Sequence, residues 1–458
     1  METIILEICE EFINEVCGFF GDGQAKKLAS IETELLEKSH QFLLKMTKAY
    51  FESLDRAIAQ DRGRLKRGLV IERKDDERTI YTQLGTLRFK RTYYRDRKNK
   101  GYLYLLDQAV GLEAYSRVSS AMAVELVNHA SQSSYGESAQ HISNGEISRQ
   151  TVMEHVRRTK RLETEPVKEK RKVKILHVEA DEDHVPMQDG TNTIVPLISI
   201  HEGIERNGRR GRCKNIHHIS RYGIKAEDLW RKAAEWIYNT YDTEEIERIY
   251  LHGDGASWIK SGLDELPKAR MVLDRYHLNK AVLEATGGYS DYRKEMFKVL
   301  RNCDKKAFKD TVKRMLNEAT ETKKQDRIKQ FRTYILNNWD GVAVYGEENC
   351  TGSCTEGHVS HVLSSRLSSR PMGWSRQGLK SMAELRAFVC SGGQLKVKDL
   401  VKKQDYNCYK PSKRELRTAA KVFNEVAIET RGNVPALKKG TVTYLFKALR
   451  TLKNGVDL

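Results

Sequence analysis

The sequence predicts an α/β protein, in which a mixed β-sheet core carries a helical insertion and follows a mainly helical part with a β-hairpin. Three observations lead to this prediction. Residues 1–66 and 278–340 repeat apolar side chains at helical spacing. Residues 78–96 alternate apolar and polar side chains with a period of two. Residues 172–260 alternate strand-like and helix-like segments, which is typical of a sheet covered by helices.

Length and charge restrict the class of protein. The chain has 458 residues, enough for several domains, with 80 Lys and Arg against 63 Asp and Glu, a net charge of +17. This excess of basic residues favours a polyanionic partner, of which nucleic acid is the commonest. No apolar run reaches 18 residues and the first residues include acids, so we expect a cytoplasmic, nucleoid-associated protein with no membrane partner.

The cysteines are sparse for this length, with eight in the whole chain, and we expect reduced thiols rather than a disulfide framework. One group has metal-ligand residue types at the spacing C-x3-C-x3-H-x2-H, namely Cys350, Cys354, His358 and His361. The spacing is not that of a standard zinc finger and no second pair lies nearby. Packing, capping or backbone contacts are therefore expected for these residues in preference to zinc.

The N-terminal third combines a predicted helical arm, residues 1–66, with a hairpin region, residues 67–118. Within the hairpin, Ile80, Leu87 and Phe89 alternate with polar residues around a turn at Gly85. Basic side chains on its exposed face could contact phosphates or could simply be solvated: Arg88, Lys90, Arg91 and Arg95.

Residues 119–160 contain three short helical patterns. Ser134 and Glu137 form a predicted capping box at the second helix, and Ser148 is a predicted cap of the third. The short turn between them suits a helix-turn-helix DNA-binding module, and a three-helix packing module is the alternative. The third helix would present these side chains to DNA: Arg149, Gln150, His155, Arg157 and Arg158.

The charged segment 157–174 predicts a domain boundary, so that the sheet domain occupies residues 172–390 and a basic segment, residues 391–458, follows it. Within the sheet domain, the turn "RNGRRGR" carries three arginines that could grip phosphates or only improve solubility: Arg209, Arg210 and Arg212.

Acids occur at two positions in the predicted sheet. In the strand "ILHVEADEDHVP", Glu179, Asp181 and Asp183 share one face, where they repel one another unless a cation or solvent neutralises them. A second strand, in "IERIYLHGDGASWIK", ends on Asp254. Taken alone, this aspartate could merely bond the backbone of the turn. Strands joined by hairpins, then a helix, then a strand that ends on an acid is the order of an RNase H-like domain, which places two such acids side by side.

Four motifs together resemble the DDE transposases of bacterial insertion sequences, specifically the ISLre-type group, which is Mutator-like in plan: "HVEADEDHV", "YLHGDGASWIK", "MVLDRYHLNKAV" and "CTEGHVSHVLSSRLSSRPMGWS". The resemblance implies that Asp181, Asp254 and Glu356 are the catalytic, metal-binding acids. Asp183 is the alternative for the first of these acids. We prefer Asp181, because Asp181 directly ends the apolar run. The resemblance also implies that residues 278–340 are a helical insertion before the glutamate.

Three residues of these motifs have roles that the resemblance alone does not fix: Asp274, His277 and Glu356. Asp274 and His277 stand where Mutator-like relatives have a Cys-x2-His pair. Because the first residue differs, the resemblance carries over the position of this pair but not its role. Glu356 is also placed to form a capping box with Ser353. We expect Glu356 to lie on the apolar stripe of its helix, where it would need a cation as partner.

The chemistry of strand cleavage and joining explains a set of three acids. Both steps are in-line displacements at phosphorus, and two Mg²⁺ or Mn²⁺ ions can stabilise the attacking and leaving oxygens. We therefore expect a transposase that cuts element ends, joins the freed 3′-OH to target DNA and assembles on double-stranded DNA as a homo-oligomer. The alternatives are a structure-selective nuclease on the same fold and a non-catalytic DNA-binding regulator.

Overall fold

The computed structural model describes residues 2–160, 162–164, 167–208, 210–347, 349–350, 352–370, 372–400 and 409–432. The chain forms two compact units. Unit 1 comprises residues 1–124 and 402–458, and unit 2 comprises residues 125–401. The division falls inside the segment 119–160. Most of the predicted basic segment 391–458 lies outside the described residues, and so does Arg209.

Unit 1 is built from long helices around a small antiparallel sheet of order β1-β2-β3. Thr82 of β1 pairs with Gly85 of β2, and Gly85 has a φ of 117°, which a side chain would oppose. Its elements are α1 Glu2–Gly21, α2 Leu28–Gln60, α3 Gly63–Lys66, β1 Leu69–Thr82, β2 Gly85–Asp96, β3 Gly101–Leu103, α4 Leu105–Ala109 and, after unit 2, α19 Lys413–Gly432.

The core of unit 1 joins α2 to the hairpin through Leu54, Ile58, Ile80 and Phe89. The alternation of these residues in the strands is the one that the sequence predicts. The expected exposure of Arg91 is wrong, because its guanidinium is largely buried and pairs with Asp107 of α4. A long basic side chain can pack inward when another element supplies an acid to pair with it. Strand periodicity alone does not reveal such a partner.

Three helices follow in the segment 119–160: α5 Ser120–Ala130, α6 Tyr135–Ser143 and α7 Arg149–Arg157. The capping box at α6 is confirmed, since Ser134 Oγ accepts from the Glu137 amide and Glu137 accepts from the Ser134 amide. Ser148 caps α7, also as predicted, by accepting from the Thr151 amide. Between α6 and α7 the chain turns through Asn144 at φ 49° and Gly145 at φ 81°.

The sheet of unit 2 is mixed. Its order in the described part of the chain is β10-β9-β4-β5-β8, with β4 antiparallel to β5, β5 antiparallel to β8, and β4, β9 and β10 mutually parallel as neighbours. A separate hairpin pairs β6 with β7. The elements are β4 Ile175–Pro186, β5 Asn192–His201, β6 Ile204–Asn207, β7 Arg210–Cys213, β8 His217–Ser220, α8 Ala226–Thr240, β9 Arg248–Gly253, α9 Ser257–Lys260, α10 Gly262–Glu265 and β10 Ala269–Leu273.

One face of this sheet packs on α8. Leu176, Val178 and Ala180, which alternate along β4, are fully buried in one cluster with Trp230 and Ile237 of α8. Each large apolar side chain buried in this way contributes about 1.5–3 kcal/mol. Because successive strand residues point to opposite faces, the residues between them on β4 must point away from α8.

A run of helices separates β10 from the next segment that contacts β4. These helices pack around a core of their own that includes Phe308, Phe331 and Trp339. They occupy the predicted helical insertion, and their bounds are α11 Arg275–Ala285, α12 Ser290–Arg301, α13 Lys305–Glu318, α14 Thr322–Asn337 and α15 Trp339–Ala343.

Past a 3-10 turn at Val344–Gly346, a broken helix lies against the second face of the sheet. It consists of α16 Thr355–Val359, a π-helical turn at Ser360–Ser364 and α17 Ser365–Leu367, and it is followed by α18 Arg376–Cys390 and a 3-10 turn at Val397–Asp399. The π-helical turn is supported from α18, because Arg386 Nε donates to the Val362 carbonyl at 2.8 Å. Such turns often occur at functional sites.

Candidate metal centre on the second face of the sheet

Three acids of β4 share the face opposite α8, as the alternation of the strand predicts. Glu179 is 1% exposed, Asp181 8% and Asp183 7%. The three side chains are thus almost equally inaccessible to solvent. A buried charge is costly unless it has a partner, so each acid should have one. The partners of the three carboxylates differ.

Glu179, the innermost acid, has contacts at both carboxylate oxygens, but among the described residues only Oε1 accepts hydrogen bonds. Its Oε1 accepts from His201 Nε2 at 3.1 Å and from the Cys354 amide at 2.9 Å. Its Oε2 lies 2.9 Å from His358 Nδ1. Burial acts to raise the pKa of Glu179, but the contacts with His201 and His358 outweigh it and hold the pKa well below its usual range. This carboxylate is thus a structural anion.

Asp183, the outermost acid, is held by a single side chain. Ser368 Oγ lies 2.9 Å from one carboxylate oxygen and 3.0 Å from the other. Ser368 follows α17 directly, so Asp183 fastens the end of the broken helix to β4. Among the described residues, Asp183 does not belong to the group of close ligand atoms that includes Asp181 and Glu356.

Asp181 lies between them and has a different environment. Its Oδ1 accepts from the Glu182 amide at 2.8 Å. The pKa of Asp181 is raised to about 6. Burial is the main cause, and the charges of Glu356 and Asp254 contribute to the same shift. A carboxylate whose charged form is disfavoured by burial and by other acids is typical of a site that binds a cation.

Asp254 follows β9, the parallel neighbour of β4. Its Oδ1 accepts from the Ala256 amide at 2.8 Å, so the turn-forming role that the sequence left open is real. Its carbonyl accepts from the Tyr334 hydroxyl at 2.8 Å. The next residue, Gly255, has a φ of 89°, and a Cβ there would lie 2.3 Å from Asn338 Oδ1. Only glycine therefore fits after Asp254.

His277 joins these acids, which the sequence did not predict. Asp274 caps α11 by accepting from the amides of Tyr276 and His277, and its Oδ2 lies 3.1 Å from His277 Nδ1. Asp274 is itself buried and accepts from Ser353 Oγ. The contact between Asp274 Oδ2 and His277 Nδ1 is the main cause that raises the pKa of His277. The other ring nitrogen, Nε2, lies 3.9 Å from Glu356 Oε1.

Glu356 completes the cluster from the second position of α16. Two expectations about it are wrong. Its side chain is 48% exposed rather than buried on the apolar stripe, and Ser353 does not cap the helix because its hydroxyl bonds Asp274. The first error arises because α16 ends after five residues and continues as a π-helical turn, which breaks the periodicity from which the stripe was inferred.

Ligand atoms of Asp181, His277 and Glu356 all lie within 4.8 Å of one another. The charge of Asp254 acts on both Asp181 and His277. Carboxylate oxygens are the ligands that Mg²⁺ and Mn²⁺ prefer, and an imidazole is compatible with Mn²⁺. The donor set therefore suits a hard divalent cation. We call Asp181, Asp254, His277 and Glu356 the outer cluster.

The predicted DNA-contacting residues have mixed positions. Arg149 and Gln150 are exposed at the start of α7, where Gln150 Nε2 donates to Glu154 at 3.3 Å. The expectation for two later residues of α7 is wrong. His155 is buried, and Arg157 donates to Ser375 Oγ at 2.9 Å, because this side of α7 packs on α18.

Arg210 and Arg212 lie on β7, in the β6–β7 hairpin rather than in a simple turn. Arg212 is exposed and opposes Glu205. The backbone of Arg210 begins β7, and Arg209 is outside the described residues.

The four residues that the sequence offered as zinc ligands do not share one environment. Cys350 packs with Val272, Val344 and Tyr250 in an apolar cluster. His361 is exposed, whereas Cys354 and His358 both face Glu179.

The fold and the outer cluster define an α/β protein with a candidate metal centre against a mixed sheet. The model of the uncharacterised protein family UPF0236 matches residues 24–404. The chain belongs to this family.

A UPF0236 protein of Caldanaerobacter subterraneus subsp. tengcongensis, whose name joins eleven designations from TTE0033 to TTE2212, is 39% identical over 99% of this chain and 98% of its own length. The UPF0236 protein in the vanSb 3′ region of Streptococcus gallolyticus is 24% identical over 80% of this chain and 84% of its own.

Among solved structures, the Drosophila P element transposase strand transfer complex aligns with 69% of this chain and 93% of that chain, at 9% identity and a TM-score of 0.23. A similarity this low supports no inference. A separate observation concerns membranes: no helix in the described ranges is both long and apolar enough to cross one.

Proposed function

We propose that this protein is a DDE transposase of the ISLre type, which cleaves DNA at the ends of an insertion sequence and joins the freed 3′-OH to target DNA. The observation that carries the proposal is the outer cluster. Asp181 on β4, Asp254 after the parallel strand β9, and Glu356 on α16 come from three distant parts of the chain; Glu356 has a ligand atom within 4.8 Å of one of Asp181, and the charges of Glu356 and Asp254 both act on Asp181. These are the acids that the sequence motifs select.

The order of the strands supports the same proposal. Three antiparallel strands, β4, β5 and β8, are followed by α8 and then by β9, which returns parallel to β4. This is the order expected of an RNase H-like domain. It explains why an acid on the first strand and an acid after the fourth would share one site.

The residues of the outer cluster have separable tasks in this proposal. Asp181, Asp254 and Glu356 would hold the divalent cations, whose positive charge stabilises the attacking and leaving oxygens of an in-line displacement. Asp274 orients His277 through Nδ1, which leaves Nε2, 3.9 Å from Glu356 Oε1, as the ring nitrogen that would complete the ligand set. Tyr334 and Gly255 fix the turn that presents Asp254.

DNA recognition is the second half of the proposal. Arg149 and Gln150 stand at the exposed start of α7, where a recognition helix contacts base edges. Arg212 and the neighbouring Arg209 and Arg210 would contact phosphates, consistent with the net charge of +17. Assembly of a homo-oligomer on the two ends belongs to the same proposal.

The naming of the relatives is consistent with a mobile element. One protein of Caldanaerobacter subterraneus carries eleven designations joined in a single name. Such a name is expected if one protein sequence is encoded at many places in a genome. Transposition produces repeated copies of a coding sequence, and such copies would therefore support the proposal.

The test is cleavage of a duplex that contains the inverted repeats flanking the gene, in the presence of Mg²⁺. We expect Asp254→Asn and Asp181→Asn to abolish cleavage and strand transfer and to leave end binding intact, because each removes a ligand charge and preserves shape. Asp183→Asn is the matched control on the same strand face and should cleave near the wild-type rate. Wild-type activity in Asp254→Asn would exclude Asp254 from the reaction.

A further inference from the structure

A second group of polar side chains lies beside the outer cluster, around Glu179. Cys213 at the end of β7, Cys354 at the N-cap of α16 and His358 within α16 meet here. Cys213 Sγ lies 3.5 Å from His358 Nε2. The Cys354 amide donates to Glu179 Oε1 at 2.9 Å, and the Cys354 thiol interacts with that of Cys213. The Cys213 sulfur is thus the common neighbour of the other two groups.

The separation of Cys213 Sγ and His358 Nε2, a hydrogen-bonding distance, also fits two ligands of one zinc ion. With Zn–N near 2.0–2.1 Å and Zn–S near 2.3 Å, tetrahedral geometry places a nitrogen and a sulfur ligand about 3.6 Å apart. The distance between Cys213 Sγ and His358 Nε2 is 3.5 Å. Two thiols and an imidazole are also a common zinc-binding set, which hard cations such as Mg²⁺ disfavour.

The surroundings of His358 have the form that a metal-binding histidine requires. Its Nδ1 lies 2.9 Å from Glu179 Oε2, and a carboxylate can only accept a hydrogen bond. Nδ1 is thus the nitrogen directed at the carboxylate, and Nε2, which contacts Cys213 Sγ, is the nitrogen placed to ligate a metal. A carboxylate behind the ligand histidine is the usual second layer of a zinc site.

A fourth ligand is available nearby. His218 of β8 is buried, and its ring centroid lies 5.4 Å from that of His358. Ser199 Oγ contacts His218 Nδ1 at 2.9 Å, which leaves the other ring nitrogen for a metal. His201, by contrast, is committed to Glu179 through Nε2 and to the Gly203 backbone through Nδ1.

We propose that Cys213, Cys354 and His358 bind a structural zinc ion, with His218 as the fourth ligand and Glu179 as the carboxylate that orients His358. Zinc binding would draw both sulfurs to tetrahedral distances from Nε2. The ion would join the β6–β7 hairpin and β8 to the start of α16, two residues before Glu356. This site differs from the four residues considered from the sequence, because it takes Cys213 in place of Cys350 and His218 in place of His361.

The experiment is a zinc measurement on the full-length protein, purified under reducing conditions without chelator and without DNA. We expect about one zinc per chain, lost in Cys213→Ser and in Cys354→Ser. Cys350→Ser and Cys17→Ser are matched controls that should retain it. Glu356→Gln should also retain it, which separates this site from the outer cluster.

A second measurement does not depend on folded variants. Cobalt added to zinc-depleted wild-type protein should give the intense absorption of thiolate-bound cobalt, and zinc should protect two thiols from alkylation. Wild-type protein with neither zinc nor this cobalt spectrum would overturn the proposal, as would a Cys213–Cys354 disulfide in reductant. Neither readout involves cleavage, so zinc binding can fail while the proposed function stands, and the reverse also holds.

Discussion

Glu179 and Asp181 lie two residues apart on the same face of β4 and are buried to a similar extent, yet their surroundings are opposite. Glu179 accepts from an imidazole and an amide and lies against a second imidazole, and its pKa is lowered. Asp181 accepts from the neighbouring amide and lies near His277 and two more acids, and its pKa is raised to about 6, mainly by burial. The partners of a buried acid therefore help to distinguish a structural charge from a candidate functional one.

The largest expected difference between the two acids is in stability. Glu179→Ala removes the common partner of His201, His358 and the Cys354 amide, and breaking a buried charge network of this kind costs about 3–5 kcal/mol. Asp181→Asn removes a charge that burial and the other acids disfavour, so we expect the free energy of unfolding to stay within about 1 kcal/mol or to increase.

Denaturant unfolding of the two variants and the wild type, at one pH and one zinc concentration, measures this difference. Equal losses in Glu179→Ala and Asp181→Asn would show that both acids are structural. A loss confined to Asp181→Asn would reverse the assignment.

A smaller effect is expected from pH. Burial is the main cause that lowers the pKa of four histidines of unit 2 to about 3 or about 4: His177, His217, His218 and His252. Because the unfolded chain binds these protons below about pH 6.5, their contribution to stability is complete above that pH and is lost as pH falls toward 4. Asp181 acts in the opposite direction, since its raised pKa lets the folded state bind a proton between about pH 4 and 6.

His218 is set aside as a proposed zinc ligand, and His277, whose pKa is raised, acts in the same direction as Asp181. Three histidines outweigh these two groups, so unit 2 should lose at least about 2 kcal/mol between pH 7 and pH 5. The loss should be larger in Asp181→Asn, which lacks the opposing contribution. The measurement is the denaturation midpoint at the two pH values. Stability at pH 5 equal to that at pH 7 would contradict the assignment of neutral, buried histidines.

Local patterns predicted much of the fold and part of the outer cluster. The alternation of β4, the cap at Ser134 and the acid after β9 depend on neighbouring residues and can be read from the sequence. The exposure of Glu356 could not, because a π-helical turn interrupts its helix. His277 and Cys213 were missed because their roles arise from contacts with α16, far away in sequence. The Asp-x-x-His spacing, with Asp274 as a helix cap, was the one available signal for His277.

Direct binding of Mn²⁺ to the zinc-loaded, full-length protein tests the central claim that Asp181 belongs to a metal centre and that the other acids of its strand face do not. We expect the wild type and Asp183→Asn to bind Mn²⁺ with equal affinity, because Ser368 rather than a cation partners Asp183. Asp181→Asn should bind at least about tenfold more weakly, as expected when a metal site loses a ligand charge. Unchanged affinity in Asp181→Asn, or a loss confined to Asp183→Asn, would contradict the account.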